Sequence, residues 1–221
     1  MKKVIVFGLV VWFSTAIGAK AQSARLPVMD IFDTDLMVTT LNAQRQMSER
    51  VIQIMHTVQP YRELQYKYYK EGKYREAIEL CFEVNNQYIH YVFENKAISD
   101  MEVLAGDCAV KIGAYETAIN LYQVAQKSGE NGISSKLSQI FNLKMDDART
   151  SYRNGNYSVL WNDVTIALKT GWENGECYFY YGVCYEKSNN LADAKKMYKL
   201  AKKKKYFPAI TALQELKKKK S

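Results

Sequence analysis

The sequence predicts an all-α solenoid of about four helical hairpins, with an N-terminal capping helix and a basic C-terminal helix. The first observation is a short phrase that recurs at intervals of 41, 42 and 34 residues. The second is that apolar residues at helical spacing lie on both sides of each copy. The third is that only Pro27, Pro60 and Pro208 interrupt 221 residues, which suits long helices between them. Self-similarity at such a period is typical of stacked helix pairs. The copies are Gly72-Lys73-Tyr74, Gly113-Ala114-Tyr115, Gly155-Asn156-Tyr157 and Asn189-Asn190-Leu191.

Residues 1–21 are predicted to be a cleavable signal peptide. A positive start is followed by an apolar run from Val4 to Phe13, and Ala19-Lys20-Ala21 has the small-x-small pattern of a cleavage site. We therefore expect an exported protein, periplasmic or secreted, that is cleaved near Ala21. It is not expected to be lipid-anchored, because no cysteine follows that site. A retained N-terminal anchor helix is the alternative, and no transmembrane segment is expected after signal removal because no later apolar run reaches about 18 residues.

Three further segments follow the signal peptide. Residues 22–57 are predicted to form a capping helix that ends before Pro60 and covers the apolar edge of the first hairpin, as terminal units of arrays require. Residues 58–213 form the repeat domain, and residues 214–221 form a lysine-rich tail. The long spacings predict extra loop residues at 86–96 and 129–138, or a second helix extended through Tyr88 to Phe93.

Each hairpin has the same internal logic. The glycine or asparagine of the phrase ends the first helix, because it can adopt the left-handed conformation of a helix stop. A small residue soon after the phrase lets the second helix approach the first closely. Large residues one turn further on fill the gap to the next helix. The small residues in these positions are Ala77, Ala118 and Ala194.

The hairpins resemble tetratricopeptide repeats. The last unit matches that pattern best, and the second unit matches through Gly106, Tyr115 and Tyr122. The first has Gln65 where the family has glycine. The third is a poor match with Leu160 in the alanine place, where Trp161 and Trp172 are expected to fill space. The matching residues of the last unit are Tyr178, Tyr181, Gly182, Tyr185, Ala194, Tyr198 and Ala201.

The resemblance implies a right-handed array whose first helices line a concave ligand-binding face. The chaperone-tail clamp known in the family is not expected, because Tyr66, Asp107 and Val183 stand at its asparagine-type places. Any one of the residues on this face is also compatible with an ordinary solvated helix surface. The candidate partner-binding residues are Arg62, Tyr66, Tyr69, Lys70, Asp107, Lys111, Arg149, Tyr152, Arg153, Phe179, Glu186 and Lys187.

The function expected from this pattern is that of an exported scaffold that binds a protein or peptide partner in its groove. The alternative is an accessory protein that binds an envelope polymer or glycan through surface tyrosines, since the chain has 17 tyrosines. Several tyrosines of the repeats fall on core positions and suit packing equally well, and Tyr66, Tyr69 and Tyr180 are the expected exceptions. A hydrolase in an atypical helical fold is a third, weaker hypothesis.

Positive charge is concentrated at the C-terminal end. Residues 195–221 contain eleven lysines and one acidic residue, Glu215, whereas the rest of the mature chain is mildly acidic. These lysines suit either a solvated capping helix or an acidic envelope component. Nucleic acid is not an expected partner of an exported protein. The lysines in question are Lys202, Lys203, Lys204, Lys205, Lys217, Lys218, Lys219 and Lys220.

Catalysis, cofactors and metal sites have no motif in this sequence. The two histidines, His56 and His90, lack the spacing of a metal pair, and no nucleophile elbow or phosphate loop is present. We therefore expect no enzyme activity, no catalytic residues, no metal and no cofactor. The four cysteines are expected to be small buried apolar residues. A disulfide between Cys81 and Cys108 is the competing hypothesis for one pair, because these helices would pack together.

Overall fold

The computed structural model describes residues 34–88 and 96–218, and these residues form an all-α protein. They fold into nine helices and contain no strand. The predicted signal peptide, residues 22–33, the continuation of the second helix to Phe93, and Lys219 and Lys220 lie outside the described residues. The helices are α1 Thr34–Lys70, α2 Tyr74–Gln87, α3 Lys96–Lys111, α4 Tyr115–Lys127, α5 Ile133–Arg153, α6 Tyr157–Lys169, α7 Gly175–Lys187, α8 Leu191–Lys203 and α9 Pro208–Lys218.

The chain divides into two units, residues 1–46 and 47–221. In the first unit the helical residues are the start of α1, where the side chains from Thr39 to Gln46 are exposed. The second unit holds the buried core, which begins at Ile54 and Val58. None of the described helices is both long enough and apolar enough to cross a bilayer.

The four predicted helix stops are confirmed. Gly72, Gly113 and Gly155 have φ of 74°, 74° and 70°, and Asn189 has φ of 59°. In each turn the amide two residues after the last helical residue bonds back to the chain, as Gly72 N does to Tyr69 O at 3.1 Å. A residue with a Cβ is strained in this conformation, and asparagine tolerates it best among the others. The repeated phrase therefore marks the places where the backbone must adopt the left-handed conformation.

The predicted end of the first helix before Pro60 is wrong. The helix α1 runs without interruption from Thr34 to Lys70, so the predicted capping helix and the first helix of the first hairpin are one element. Pro60 has no amide hydrogen to give to the carbonyl of His56. Both residues are exposed, so water can hydrate that carbonyl and the helix can continue.

Within each hairpin, a residue on the first helix and the residue that it faces on the second helix have complementary sizes. Gly106 faces Tyr122 and Gly182 faces Tyr198 so closely that an added methyl group would overlap the ring. The equivalent pair of the third hairpin is Ala148 and Val164, both fully buried. A large residue on one helix thus accompanies a small one on the other.

The first hairpin reverses this relation. Gln65 takes the glycine position and Cys81 the tyrosine position, and both are buried. The Gln65 amide nitrogen donates to the carbonyl oxygens of Ala77 at 3.1 Å and Met101 at 3.0 Å. A side-chain amide buried in this way needs both bonds, and they connect α1 to α2 and α3. The departure from glycine at Gln65 therefore has a structural reason.

Helices pack chiefly against their neighbours in sequence, and smaller contacts join α4 to α6 and α5 to α7. The helix α5 belongs to two apolar clusters, since Ile133 and Leu137 lie in the first and Met145 and Ala148 in the second. The third hairpin is complete, because α5 and α6 pack along each other. The loop predicted at residues 129–138 is shorter than expected, since α5 begins at Ile133.

All four cysteines are buried free thiols. The hypothesis of a bond between Cys81 and Cys108 is therefore wrong for this structure, although the two helices do pack together. Burial raises the pKa of all four thiols, to about 11 for Cys108, Cys177 and Cys184. Protonated thiols are poor nucleophiles, so these residues act as small apolar groups.

Candidate functional site

The predicted binding residues lie on α1, α3, α5 and α7, the first helices of the four hairpins. We call this surface the first-helix face, and its members are the twelve candidate residues given above. They share the face because positions three or four apart on a helix point the same way, as Arg62, Tyr66 and Tyr69 do on α1. The structure brings five of them into two clefts and three into one aromatic cluster, and the others lie elsewhere on these helices.

The Arg62 cleft, of about 280 Å³, lies between α1 and α3 and is lined by Arg62, Tyr66, Asp100, Met101 and Leu104, among others. Arg62 Nη2 donates to Asp100 Oδ2 at 2.7 Å, and Lys96 Nζ donates to the other Asp100 oxygen at 2.9 Å. The guanidinium is thus held against α3 and is about one third exposed. The cleft offers apolar surface beside a paired cation.

The Tyr69 cleft, of about 330 Å³, joins α1, α3 and α5. Three predicted residues line it, namely Tyr69, Asp107 and Lys111. Asp107 Oδ1 accepts hydrogen bonds from Tyr122 OH at 2.5 Å and Lys136 Nζ at 2.6 Å. Burial and the bond to Asp107 raise the pKa of the Tyr122 hydroxyl, so it stays a donor. Leu143, which is 41% exposed, adds apolar surface.

Tyrosines connect the two clefts. Tyr66 lines the first and Tyr69 the second, and their rings stack with centroids 6.4 Å apart and planes 24° apart. Tyr66 is 53% exposed, and the ammonium of Lys70 lies 5.0 Å from its ring centroid. One aromatic pair therefore runs from the Arg62 cleft to the Tyr69 cleft.

The aromatic cluster lies between α5 and α7. Arg149 forms a bidentate ion pair with Glu176, at 3.0 Å from Nε to Oε1 and 2.7 Å from Nη2 to Oε2. These bonds raise the pKa of Arg149. The ring of Tyr152 lies 5.9 Å from that of Phe179, and Tyr180 donates to Glu176 Oε1 at 2.9 Å. Arg149 is therefore fixed by its own protein, with less freedom to pair with a ligand.

Several predicted residues have structural contacts instead. Phe179 is 8% exposed and packs on Tyr198 and Tyr206. Glu186 accepts a hydrogen bond from Tyr198 OH at 2.8 Å, and the Lys187 ammonium lies 5.0 Å from the ring centroid of Tyr157. Neither Glu186 nor Lys187 lines either of the two clefts. Arg153 is exposed at the end of α5.

Sequence reasoning missed Asp100 and Lys136, which partner predicted residues in the clefts. Lys136 fell in the segment 129–138 that was expected to be a loop, and Asp100 lies two turns before Asp107, the first candidate residue of α3. The signal that could have identified Asp100 is its i, i+7 spacing from Asp107 on one helix face. Both acidic residues face cations of the preceding or following first helix.

Two buried polar groups lie away from the clefts. Asn85 Nδ2 donates to Glu102 Oε1 at 3.0 Å, while Glu102 Oε2 and Asn85 Oδ1 have no hydrogen-bond partner among the described residues. Burial raises the pKa of Glu102 to about 7. In the third hairpin, Lys144 Nζ of α5 bonds to Asp163 Oδ1 of α6 at 3.2 Å, and both residues are buried.

The remaining groups to consider are those that could bind a metal ion or react, namely the carboxylates, histidines and thiols. No three histidine, cysteine or carboxylate side chains of the described ranges are placed to hold a metal ion. The buried carboxylates meet amide or ammonium groups, and the described thiols are protonated and enclosed. The sequence matches no protein-family model and no curated protein.

Proposed function

We propose that this chain is an exported scaffold of tetratricopeptide-like hairpins whose first-helix face binds a peptide segment of a partner protein. The observation that carries the proposal is the pair of adjoining clefts formed by three successive first helices. Residues chosen from the repeat pattern alone line both of them: Arg62 and Tyr66 one, and Tyr69, Asp107 and Lys111 the other.

The repeat architecture is supported by packing between sequence neighbours and by the matched pairs within hairpins. Gly106 with Tyr122 and Gly182 with Tyr198 repeat one size relation at one spacing of 16 residues. A structure made of equivalent hairpins presents equivalent helices on one side. Extended surfaces of this kind are suited to elongated ligands.

The chemistry of the clefts favours a mixed, partly apolar peptide. One cation at each cleft is already paired, Arg62 with Asp100 and Lys136 with Asp107. A purely acidic ligand would have to displace these carboxylates. The exposed surfaces of Tyr66 and Leu143 instead offer places for apolar side chains, and exposed Lys111 can pair with one ligand carboxylate.

Glycan binding is the second candidate, favoured by the exposed ring of Tyr66. Sugars stack on open aromatic faces, but this ring already has Lys70 over it and Tyr69 beside it. Peptide binding accounts for both clefts, whereas stacking on one tyrosine accounts for neither Lys111 nor Leu143. A glycan array probed with the chain and with Tyr66→Ala tests this candidate directly.

The peptide proposal is tested by selecting binders from a random peptide library on the full chain. We expect Tyr66→Ala/Tyr69→Ala to weaken the selected peptides by roughly 10-fold or more, because buried aromatic contacts dominate such interfaces. Phe82→Ala is the matched control, since Phe82 is 44% exposed on the second helix α2. Lys111→Glu is a second test variant, and Lys127→Glu on α4 is its control because it makes the same change of charge on a second helix.

Two results would contradict the proposal. One is a selected set of peptides that binds the double tyrosine variant as well as the original chain. The other is equal loss in Phe82→Ala, which would show that aromatic surface in general captures the peptides. Circular dichroism of each variant must show unchanged helix content.

A further inference from the structure

We propose that the α8–α9 end of the molecule docks on an anionic lipid surface. The site consists of four lysines around a groove and an exposed phenylalanine at one end of it. It lies outside the first-helix face, so it adds a second binding activity to the proposed scaffold.

Four ammonium groups converge on the groove between α8 and α9. Lys195, Lys199 and Lys202 follow an i, i+4, i+7 spacing on α8, and Lys217 faces them from α9. The groove has a volume of about 300 Å³. None of these four side chains forms an ion pair with a described residue. Four like charges around one groove raise the local positive potential and attract an anion.

Part of the groove lining is apolar. Ile210 and Leu213 of α9 line it, and Ile210 is 37% exposed. Gln214 is the uncharged polar residue of the lining. Glu215, the acidic residue of α9, is exposed and is absent from the lining. The groove thus combines four cations with hydrocarbon surface.

Phe207 stands at the turn that joins the two helices. It is 76% exposed, more than any other large apolar side chain of residues 39–88 and 96–218. The neighbouring Tyr206 packs inward against Phe179, so the turn is anchored while Phe207 projects from it. Lys205, in the left-handed conformation with φ of 63°, reverses the chain just before it. Phe207 directly precedes α9, and Ile210 N donates a hydrogen bond to Phe207 O at 2.9 Å, so Phe207 lies one turn from a residue that lines the groove.

This combination favours a membrane surface over a soluble polyanion or an acidic protein. Lysines near an anionic leaflet gain electrostatic attraction, and an aromatic ring beside them gains from entering the headgroup region. A soluble phosphate would use the lysines and leave Phe207 in water. Lysine also differs from arginine in acting as a point charge without fixed bidentate geometry, which suits many mobile headgroups.

Vesicle co-sedimentation of the full chain tests the proposal. One set of vesicles is phosphatidylcholine alone, and the other contains about 30% phosphatidylglycerol, a proportion that gives a strong negative surface potential. The neutral vesicles measure what the apolar run Val4 to Phe13 contributes in every variant. We expect tighter binding to the anionic vesicles than to the neutral ones. This gain in affinity, which we call the anionic increment, should fall as salt is added.

The variants separate charge from insertion. Lys195→Glu/Lys199→Glu should weaken the anionic increment by at least roughly 30-fold, since each lost lysine near such a surface contributes about 5-fold and each added glutamate is repelled by it. Phe207→Ser should weaken the anionic increment by roughly 10-fold, because the variant lacks the aromatic ring whose transfer out of water favours binding. Arg75→Glu/Lys127→Glu makes the same change in net charge at exposed positions of α2 and α4, and it should leave most of the increment intact.

Three results would overturn the proposal. The first is equal binding to neutral and anionic vesicles. The second is unchanged binding by Phe207→Ser together with calorimetric binding of inorganic polyphosphate, which would make a soluble polyanion the ligand. The third is equal loss in the Arg75→Glu/Lys127→Glu control. Because these variants spare the two clefts, peptide selection on them reports the proposed scaffold function separately.

Discussion

Glu102 is the residue whose environment fits its charge least well. It is fully buried, and Asn85 donates to one oxygen while the second oxygen has no partner among the described residues. Asn85 Oδ1 also lacks a donor there. A proton on Glu102 supplies the donor that this pair of acceptors lacks. Burial disfavours the charged carboxylate and raises the pKa of Glu102 to about 7.

The Glu102 carboxyl makes stability depend on pH. Its folded pKa lies above the ordinary glutamate value of 4.5, so its contribution to stability is fully present below pH 4.5 and is lost as pH rises towards about 7. We expect Glu102→Gln to be more stable than the original chain at pH 8 by up to about 3 kcal/mol, and nearly equal to it at pH 4.5. Urea unfolding at both pH values measures this. A variant less stable than the original at pH 8 would contradict it.

Gly182 has a second measurable consequence at the residue scale. A methyl group there would overlap the buried ring of Tyr198, so Gly182→Ala should cost about 1–3 kcal/mol through overpacking. In the background of Tyr198→Val, which copies the Ala148–Val164 pair, the same change should stabilise by about 0.5–1 kcal/mol because alanine favours helix. A double-mutant cycle measures this reversal of sign. Gly182→Ala that destabilises both backgrounds equally would show that the size relation is irrelevant.

At the element scale, the buried ion pair of the third hairpin replaces part of the apolar contact found in the others. Lys144 of α5 and Asp163 of α6 are 8% and 4% exposed. Ser151 also donates to Asp163, at 3.2 Å. Although burial lowers the pKa of Lys144, hydrogen bonds to Asp147 and Asp163 raise it by more, so the side chain stays charged. The poor match of this hairpin to the repeat pattern thus coincides with a polar connection between its helices.

Removal of one partner should be far more damaging than removal of both. Asp163→Ala leaves Lys144 enclosed beside Asp147 alone and should cost about 3–5 kcal/mol, whereas Lys144→Met/Asp163→Leu should be much closer to neutral. Thermal and urea unfolding measure both. Glu116→Ala breaks the exposed pair with Lys169 and should cost at most about 1 kcal/mol. Equal costs for Asp163→Ala and Glu116→Ala would contradict this account of the third hairpin.

Helix ends were predicted from sequence more successfully than side-chain partners. Gly72, Gly113, Gly155 and Asn189 mark real stops because left-handed backbone is a local requirement that sequence states directly. Pro60 misled because its effect depends on whether His56 is exposed to water, a tertiary property. Lys136 was missed for a different reason. No capping side chain marks the start of α5 at Gly132, so its first residues were assigned to a loop.

The sequence predicted which helices carry the candidate residues, and it did not predict which of those residues are buried. Helical periodicity places Tyr66 and Tyr69 on one side of α1, and both line clefts. The rotation of α7 within its neighbours is set by packing, so Phe179 was assigned to the face although it is buried against Tyr198 and Tyr206. Tetratricopeptide membership and export stay predictions.

At the scale of the whole molecule, positive charge and peptide-sized clefts are separated along the chain. The clefts are lined by α1, α3 and α5 together with Tyr122 of α4, whereas the lysine groove is lined by α8 and α9. Two binding surfaces at different places would let one protein hold a partner while it rests on an anionic surface. The central claim on which this depends is that the first helices, and not the second ones, receive the partner.

Photo-crosslinking with a selected peptide tests that claim most directly. A benzophenone-bearing peptide is irradiated on the full chain, and the attached residues are identified by mass spectrometry. The account predicts attachment to α1, α3 and α5, around Tyr66, Leu104 and Leu143. Attachment mainly to α2 or α6, around Phe82 or Trp161, would contradict it.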